Sequence, residues 1–228
     1  MRYAAIIPAA GRGSRSGRRE PKQFAEVAGT TVLAAAVDPF LGDPRCERIV
    51  IALDKGEQAG VFSRLPTDSR LRYVSGGKER QDSIANALAD CGPVEYILVH
   101  DAARPCLDRA LLDRVISTLE SAEAVIPAIP VADTIKEVGD DVVIRTLDRS
   151  ALRAVQTPQG FSRTLLEQAY RKAAETGSRG TDDASLVEAV GGRVVIVNGD
   201  RDNIKVTWKR DFFLASLILD ERSSTSTD

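Results

Sequence analysis

Short apolar runs without alternation recur along the chain: "YAAIIP" (3–8), "RIVIAL" (48–53), "LRYVSG" (71–76), "YILVHD" (96–101), "AVIPAIPV" (124–131) and "RVVIVNG" (193–199). Each predicts a strand buried on both faces. Between most of them lie stretches with helical spacing, among them "TTVLAAAVDPFL" (30–41), "RQDSIANALADC" (80–91), "DRALLDRVISTLESA" (108–122) and "RTLLEQAYRKAAET" (163–176). Strands and helices in this alternation predict α/β architecture: a mostly parallel, Rossmann-like sheet with helices on both faces, joined by right-handed crossovers. Asp108 is the expected N-cap of the helix from Arg109, and Gly177 the expected stop of the helix before it.

Two segments depart from that rhythm. "DTIKEVGDDVVIRTLDRS" (133–150) reads as two short strands around a "GDD" turn, a hairpin arm with little apolar surface of its own. An isolated hairpin is marginally stable in water, so this one either folds back on its own sheet or embraces a second subunit. The last helix, "KRDFFLASLILDER" (209–222), is apolar on most faces and should dock on the body or on a partner. The expected organisation is one domain over 1–222, arm included, followed by a disordered tail over 223–228 with nothing to bury.

Composition narrows the class. The 228 residues are 43% hydrophobic and 28% charged, so neither disorder nor a membrane span is expected. A net charge of −2 argues against general nucleic-acid binding, which shows as a basic domain or stripe. With the first strand near Tyr3, no leader is expected and the setting is cytoplasmic. Cys46, Cys91 and Cys106 are odd in number and form no CxxC, so reduced thiols are expected rather than disulfides or a zinc site.

Against this acidic background, "AAGRGSRSGRREPKQF" (9–24) stands out. Arg12, Arg15, Arg18, Arg19 and Lys22 face a single acidic residue, Glu20. A Gly- and Arg-rich stretch can be a solvated loop, but this one leaves the carboxyl end of a buried strand, where open α/β sheets bind ligands. The local charge suits one small polyanion. "GRGSRSG" (11–17) puts Arg15 and Ser16 where a dinucleotide-binding helix must pack closely, and no Walker sequence GxxxxGK[ST] occurs. What remains is an irregular loop whose backbone amides wrap a phosphate chain while Arg and Lys neutralise it.

The motifs then carry a resemblance. "PAAGRGSR" (8–15) with "PKQF" (21–24) is similar to the signature of enzymes that join a nucleoside triphosphate to a sugar or polyol phosphate. "GGKERQDS" (76–83), "VHDAARP" (99–105), "PVADTIK" (130–136), "LDRS" (147–150), "TPQGF" (157–161), "TDDAS" (181–185) and "DNIKVT" (202–207) follow. In this order they resemble the 2-C-methyl-D-erythritol 4-phosphate cytidylyltransferase family, over residues 3 to about 219. Ser16, Ala25 and "GTT" (29–31) depart from the family's usual methionine, leucine and "GKP" without touching a charged position.

The resemblance implies CTP and a polyol phosphate as substrates, with Mg²⁺ or another divalent cation as cofactor and no firm protein ligand for it. It makes Arg15, Lys22 and Lys205 catalytic. Ala9, Ala10, Gly11, Gly13, Gly77 and Ser83 would bind CTP, and Asp101, Arg104, Thr134, Arg149 and Thr181 the acceptor. The arm would reach a partner's site, which implies a homodimer. Alternatives are the same chemistry on ribitol 5-phosphate, a related glycosyltransferase, which would usually carry a DxD pair, or a non-catalytic nucleotide-binding module, which would be expected to lack Lys22, Arg15 or Lys205, all three of which are present.

The residues themselves fit phosphate chemistry. A phosphate monoester is mostly dianionic at neutral pH and needs no general base, in keeping with a single histidine, His100, read as a positional residue beside Asp101. Asp101 either bonds turn amides or orients a substrate hydroxyl or a metal-bound water. Lys205, between Ile204 and Val206, is expected on a half-buried strand.

Overall fold

Residues 1–11, 21–54, 56 and 65–225 are described by the computed structural model. The strands are β1 (Tyr3–Pro8), β2 (Glu26–Val27), β3 (Thr30–Thr31), β4 (Cys46–Leu53), β5 (Leu71–Ser75) and β6 (Tyr96–Val99), then β7 (Ala124–Pro130), β8 (Lys136–Gly139), β9 (Val142–Thr146), β10 (Arg153–Val155), β11 (Gln159–Ser162) and β12 (Val194–Asn198). The helices are α1 (Val32–Leu41), α2 (Arg80–Leu88), α3 (Arg109–Leu119), α4 (Arg163–Thr176), α5 (Asp183–Ala189) and α6 (Lys209–Thr225).

β1 shows why the apolar runs lack alternation. Tyr3, Ala5 and Ile7 enter the core under α1 and α3, while Ala4 and Ile6 enter the opposite core under α2, α4 and α5. Both faces are covered, so both must be apolar. Ile6 and Ile7 are fully buried, each worth about 1.5–3 kcal/mol. Asp108 Oδ1 accepts the Leu111 amide at 2.7 Å and caps α3. Gly177, with φ of 66°, ends α4 in the left-handed conformation that glycine adopts without steric cost.

β1 pairs in parallel with β4 on one edge and with β6 on the other, and β4 pairs in parallel with β5. The chain therefore runs outward through β4 and β5, then returns to β6 across β1. That reversal is a topological switch point, and the crevice at the carboxyl ends of the flanking strands is where such sheets bind ligands. β11 lies antiparallel between β6 and β7. Val125 pairs with Gly160 of β11 and with Val195 of β12, so β12 occupies the other edge of β7. β10 and β11, like helix α5, are too short to have been read as elements from periodicity.

The arm forms as read. β8 and β9 pair antiparallel around Asp140 and Asp141, at φ of 49° and 62°, the left-handed pair that a two-residue hairpin turn requires. Val138, Val142, Val143 and Ile144 are all at least half exposed, so the arm does not fold back on its own sheet.

The last helix docks through Phe212, Ala215 and Ile218 onto a small core with Val27, Val32 and Val206, leaving Trp208, Phe213, Leu214 and Leu217 at the surface. It continues to Thr225, so the expected tail boundary at 223 falls inside helix: Ser223 Oγ and Ser224 Oγ both donate to Asp220 O. No described helix is long and apolar enough to cross a membrane.

Candidate active site

A cleft of about 300 Å³ opens at the switch point. One wall is Pro8 to Gly11 after β1, a second is Gly77 to Arg80 after β5, and a third is Asp101 to Ala103 after β6. Lys22, Gln23, Ser83 and Lys205 complete it. Ala9, Ala10, Gly11, Gly77, Ser83, Asp101, Lys22 and Lys205, all singled out in the sequence, thus line one cleft. Gly13 and Arg15 lie outside the described residues.

The first wall is tied at its base. Gln23, almost fully buried, donates Nε2 to Ala9 O at 2.7 Å and to Gly11 O at 3.1 Å, which holds the start of the basic loop against its end. Lys22 Nζ donates to Val206 O at 2.8 Å. In the second wall Ser83 Oγ accepts the Gly77 amide at 3.0 Å and donates to Glu79 O at 3.1 Å, so Ser83 shapes the glycine loop from within. A Cβ on Gly76 would stand 2.2 Å from Ala10 Cβ, and one on Gly77 2.2 Å from Asp82 Cβ. Only glycine at 76 lets the second wall approach the first this closely, and only glycine at 77 lets the loop lie against the helix start.

Asp101 is the electrostatic centre. Its Oδ1 accepts from Arg80 Nε at 3.1 Å and its Oδ2 from Lys205 Nζ at 2.7 Å. The carboxylate therefore bonds cations rather than turn amides. Burial alone would raise its pKa, but Arg80, Lys205 and Arg104 outweigh it and hold the group ionised, well below the usual carboxylate range. Arg80, missed in the sequence reading although it stands inside "GGKERQDS", also bonds Asp183 Oδ2 at 2.8 Å. Lys205 does not lie on a regular strand: residues 204–207 have none, and Val206 N makes a single bond across to Ala103 O at 2.8 Å.

Arg104 sits behind the cleft. Its Nη1 donates to Asn203 O at 2.6 Å, its Nε lies 4.0 Å from Asp101 Oδ2, and that buried Nε has no hydrogen-bond partner among the described residues. His100 is fully buried, with Nδ1 against Thr157 Oγ1 at 3.0 Å and Nε2 against Arg104 O at 3.1 Å. Burial pushes the imidazole down to about 4, so it is neutral and positional, as expected.

Three acceptor candidates lie elsewhere. Thr181 is exposed, just before the α5 cap Asp182, two residues from Asp183. Thr134 is exposed at the root of the arm. Arg149 borders an open depression with Asp148, Arg153 and Arg201 and donates Nη1 to Ala132 O at 2.6 Å. Among the described residues, no group of three His, Cys, Asp or Glu side chains could cage a metal ion.

The chain is similar to known proteins over nearly its whole length. The profile of the 2-C-methyl-D-erythritol 4-phosphate cytidylyltransferase family matches residues 3–221. The enzyme of that name from Bacillus mycoides is 43% identical over 220 residues, 95% of this chain and 97% of the relative. That from Geobacillus kaustophilus is 41% identical over 97% of this chain and 99% of its own. The crystal structure of the Thermus thermophilus enzyme superposes with a TM-score of 0.80 at 34% identity, covering 96% of this chain and 98% of that one. The 4-diphosphocytidyl-2C-methyl-D-erythritol synthase of Anaerococcus prevotii gives 0.85 at 30% identity, covering 96% of each.

Proposed function

Since the chain belongs to the 2-C-methyl-D-erythritol 4-phosphate cytidylyltransferase family, we propose that the switch-point cleft is where its reaction takes place. The chain is a nucleotidyltransferase: it transfers CMP from CTP to 2-C-methyl-D-erythritol 4-phosphate, giving 4-diphosphocytidyl-2-C-methyl-D-erythritol and pyrophosphate. Its acceptor is this phosphate rather than ribitol 5-phosphate.

The observation that carries the site is the convergence of Lys22, Lys205, the Gly77 loop and Asp101 on one cleft. An oxygen of the acceptor phosphate attacks the α-phosphorus of CTP, the bond from that phosphorus to the bridging oxygen breaks, and pyrophosphate leaves with the electron pair. The nucleophile is already an anion at neutral pH, and the buried His100 is not required as a base. What the reaction needs is charge neutralisation where two polyanions meet. Lys22 and Arg15 take the triphosphate and its transition state. The amides of Ala9, Ala10, Gly11, Gly13 and Gly77, with Ser83 behind them, hold the nucleotide. Asp101 orients the acceptor, Lys205 faces its phosphate, and Arg104 and Thr181 support that side.

Magnesium belongs to the same proposal. Asp101 is the buried carboxylate at the cleft, and cations already occupy both its oxygens. A carboxylate already bonded by two cations is a poor direct ligand, so these residues would fit an ion held mainly by phosphate oxygens, with Asp101 orienting a water on it. When bound, the ion neutralises the phosphates. A reducing, cytoplasmic setting is supported by three buried free thiols, which burial pushes up to about 12 for Cys46 and Cys91 and about 11 for Cys106.

Thr134 and Arg149 act in a partner's cleft within a homodimer. The exposed Val138, Val142, Val143 and Ile144 support this, since an arm of that composition needs a surface. Co-expressing Lys22→Ala and Arg149→Ala chains tests it. Each variant alone is expected to be nearly inactive at low acceptor concentration. Hybrids with one intact site should restore about a quarter of wild-type turnover under random pairing. No recovery would mean that Arg149 serves its own chain or none.

A further inference from the structure

Arg80 bridges two carboxylates that come from distant parts of the chain. Its Nε holds Asp101 Oδ1 at 3.1 Å and its Nη2 holds Asp183 Oδ2 at 2.8 Å. Asp183 is fully buried on α5 and its Oδ1 accepts the Tyr170 hydroxyl at 2.5 Å. A buried ion pair of this kind is a poor source of stability, because desolvation offsets most of its attraction and apolar residues could fill the same space as well. What the pair does is give the Arg80 guanidinium one direction.

That direction matters because Asp101 has a competing partner. Arg104 Nε lies 4.0 Å from Asp101 Oδ2, buried and without a hydrogen bond to any described residue. Released from Arg80, the Asp101 carboxylate can turn onto Arg104 and withdraw from Lys205. Held by Arg80 through Oδ1, it presents Oδ2 to Lys205 at 2.7 Å. We propose that Arg80, anchored by Asp183 and Tyr170, is a positioning residue that sets the Asp101–Lys205 pair for the acceptor phosphate. The proposal rests on the reading of the cleft as the transfer site.

The test uses the full-length protein with Arg80→Gln, Arg80→Lys and Asp183→Asn, measuring kcat, KM for CTP, KM for the acceptor, direct CTP affinity and thermal midpoint. Lysine keeps the charge but cannot span both carboxylates, and it serves if Asp183→Asn does not fold. All folded variants are expected to bind CTP within about threefold of wild type while losing about 10²-fold in kcat/KM for the acceptor, the scale of a small misplacement. A role in stability alone would lower the midpoint and leave acceptor kcat/KM unchanged, overturning the proposal. Equal losses toward both substrates, or full activity in Arg80→Lys, would overturn it too. A wild-type protein that turns over neither substrate would instead remove the reading of the cleft on which the proposal rests.

Discussion

Lys22 Nζ donates to the carbonyl oxygen of Val206 at 2.8 Å, joining residues 184 positions apart. The contact brings the end of the basic loop onto the segment that carries Lys205, whose own ammonium meets Asp101. Two lysines from opposite ends of the chain therefore stand at one cleft, one on the side assigned to the triphosphate and one on the side assigned to the acceptor.

Removing the first should cost turnover more than binding. Lys22→Ala is expected to lower kcat by about 10²–10³-fold, the usual effect of deleting one well-aimed donor to a developing charge. Arg15→Ala should fall on the same scale. Either variant keeping more than about a third of wild-type turnover in a pyrophosphate-release assay would contradict the assignment.

The glycine wall can be tested without touching a charge. Alanine at Gly77 would place its Cβ 2.2 Å from Asp82 Cβ, a clash with the helix start that only loop movement relieves. Gly77→Ala should therefore raise KM for CTP by about 10-fold or more, with a smaller effect on KM for the acceptor. Unchanged CTP affinity by titration would show that this wall does not shape the nucleotide site.

Arg149→Ala should weaken the acceptor rather than the nucleotide. Arg149 lies outside the CTP cleft, at the base of the arm, so KM for the polyol phosphate should rise by about 10-fold or more while KM for CTP stays within about twofold. Equal losses for both substrates would count against its assigned role.

Between about pH 6.5 and 4.5, stability should depend on pH chiefly through one group. His100, the only histidine, is held down at about 4 against an ordinary 6.5. Below pH 6.5 the unfolded chain binds a proton that the folded chain refuses until about pH 4. Its contribution to stability is thus complete above 6.5 and is lost progressively as pH falls toward 4, by about 3 kcal/mol in all. Urea midpoints should be flat from about pH 8 to 7 and fall steadily from about 6.5 to 4.5. A flat profile across that lower window would mean that His100 titrates normally in the folded state.

The parts of this architecture legible in the sequence are those set by local pattern. Runs such as "YAAIIP" declare strands covered on both faces, Asp108 and Gly177 mark helix ends, and "GDD" declares the arm's turn. β10 and β11 are three and four residues long, too short for periodicity, and their pairing comes from the sheet around them. Lys205 alternates with apolar neighbours as a strand would, yet among the described residues a single backbone–backbone bond, Val206 N to Ala103 O, ties its segment to the sheet side, because Ile204 and Val206 pack on neighbouring structure without a ladder. Arg80, Asp183 and Gln23 escaped the reading because their importance lies in partners 103 and 14 residues away, which no spacing reveals. The signal available was a charged or amide residue inside a recognised motif with no role yet given to it.

Pyrophosphate release with CTP and Mg²⁺, comparing 2-C-methyl-D-erythritol 4-phosphate with ribitol 5-phosphate, is the first measurement to make on this enzyme. Release with the methylerythritol phosphate and none above background with the ribitol phosphate is the result this account expects. Release with ribitol 5-phosphate alone would keep the fold, the cleft and the charge-neutralising mechanism but contradict the acceptor, and release with neither would contradict the reaction itself.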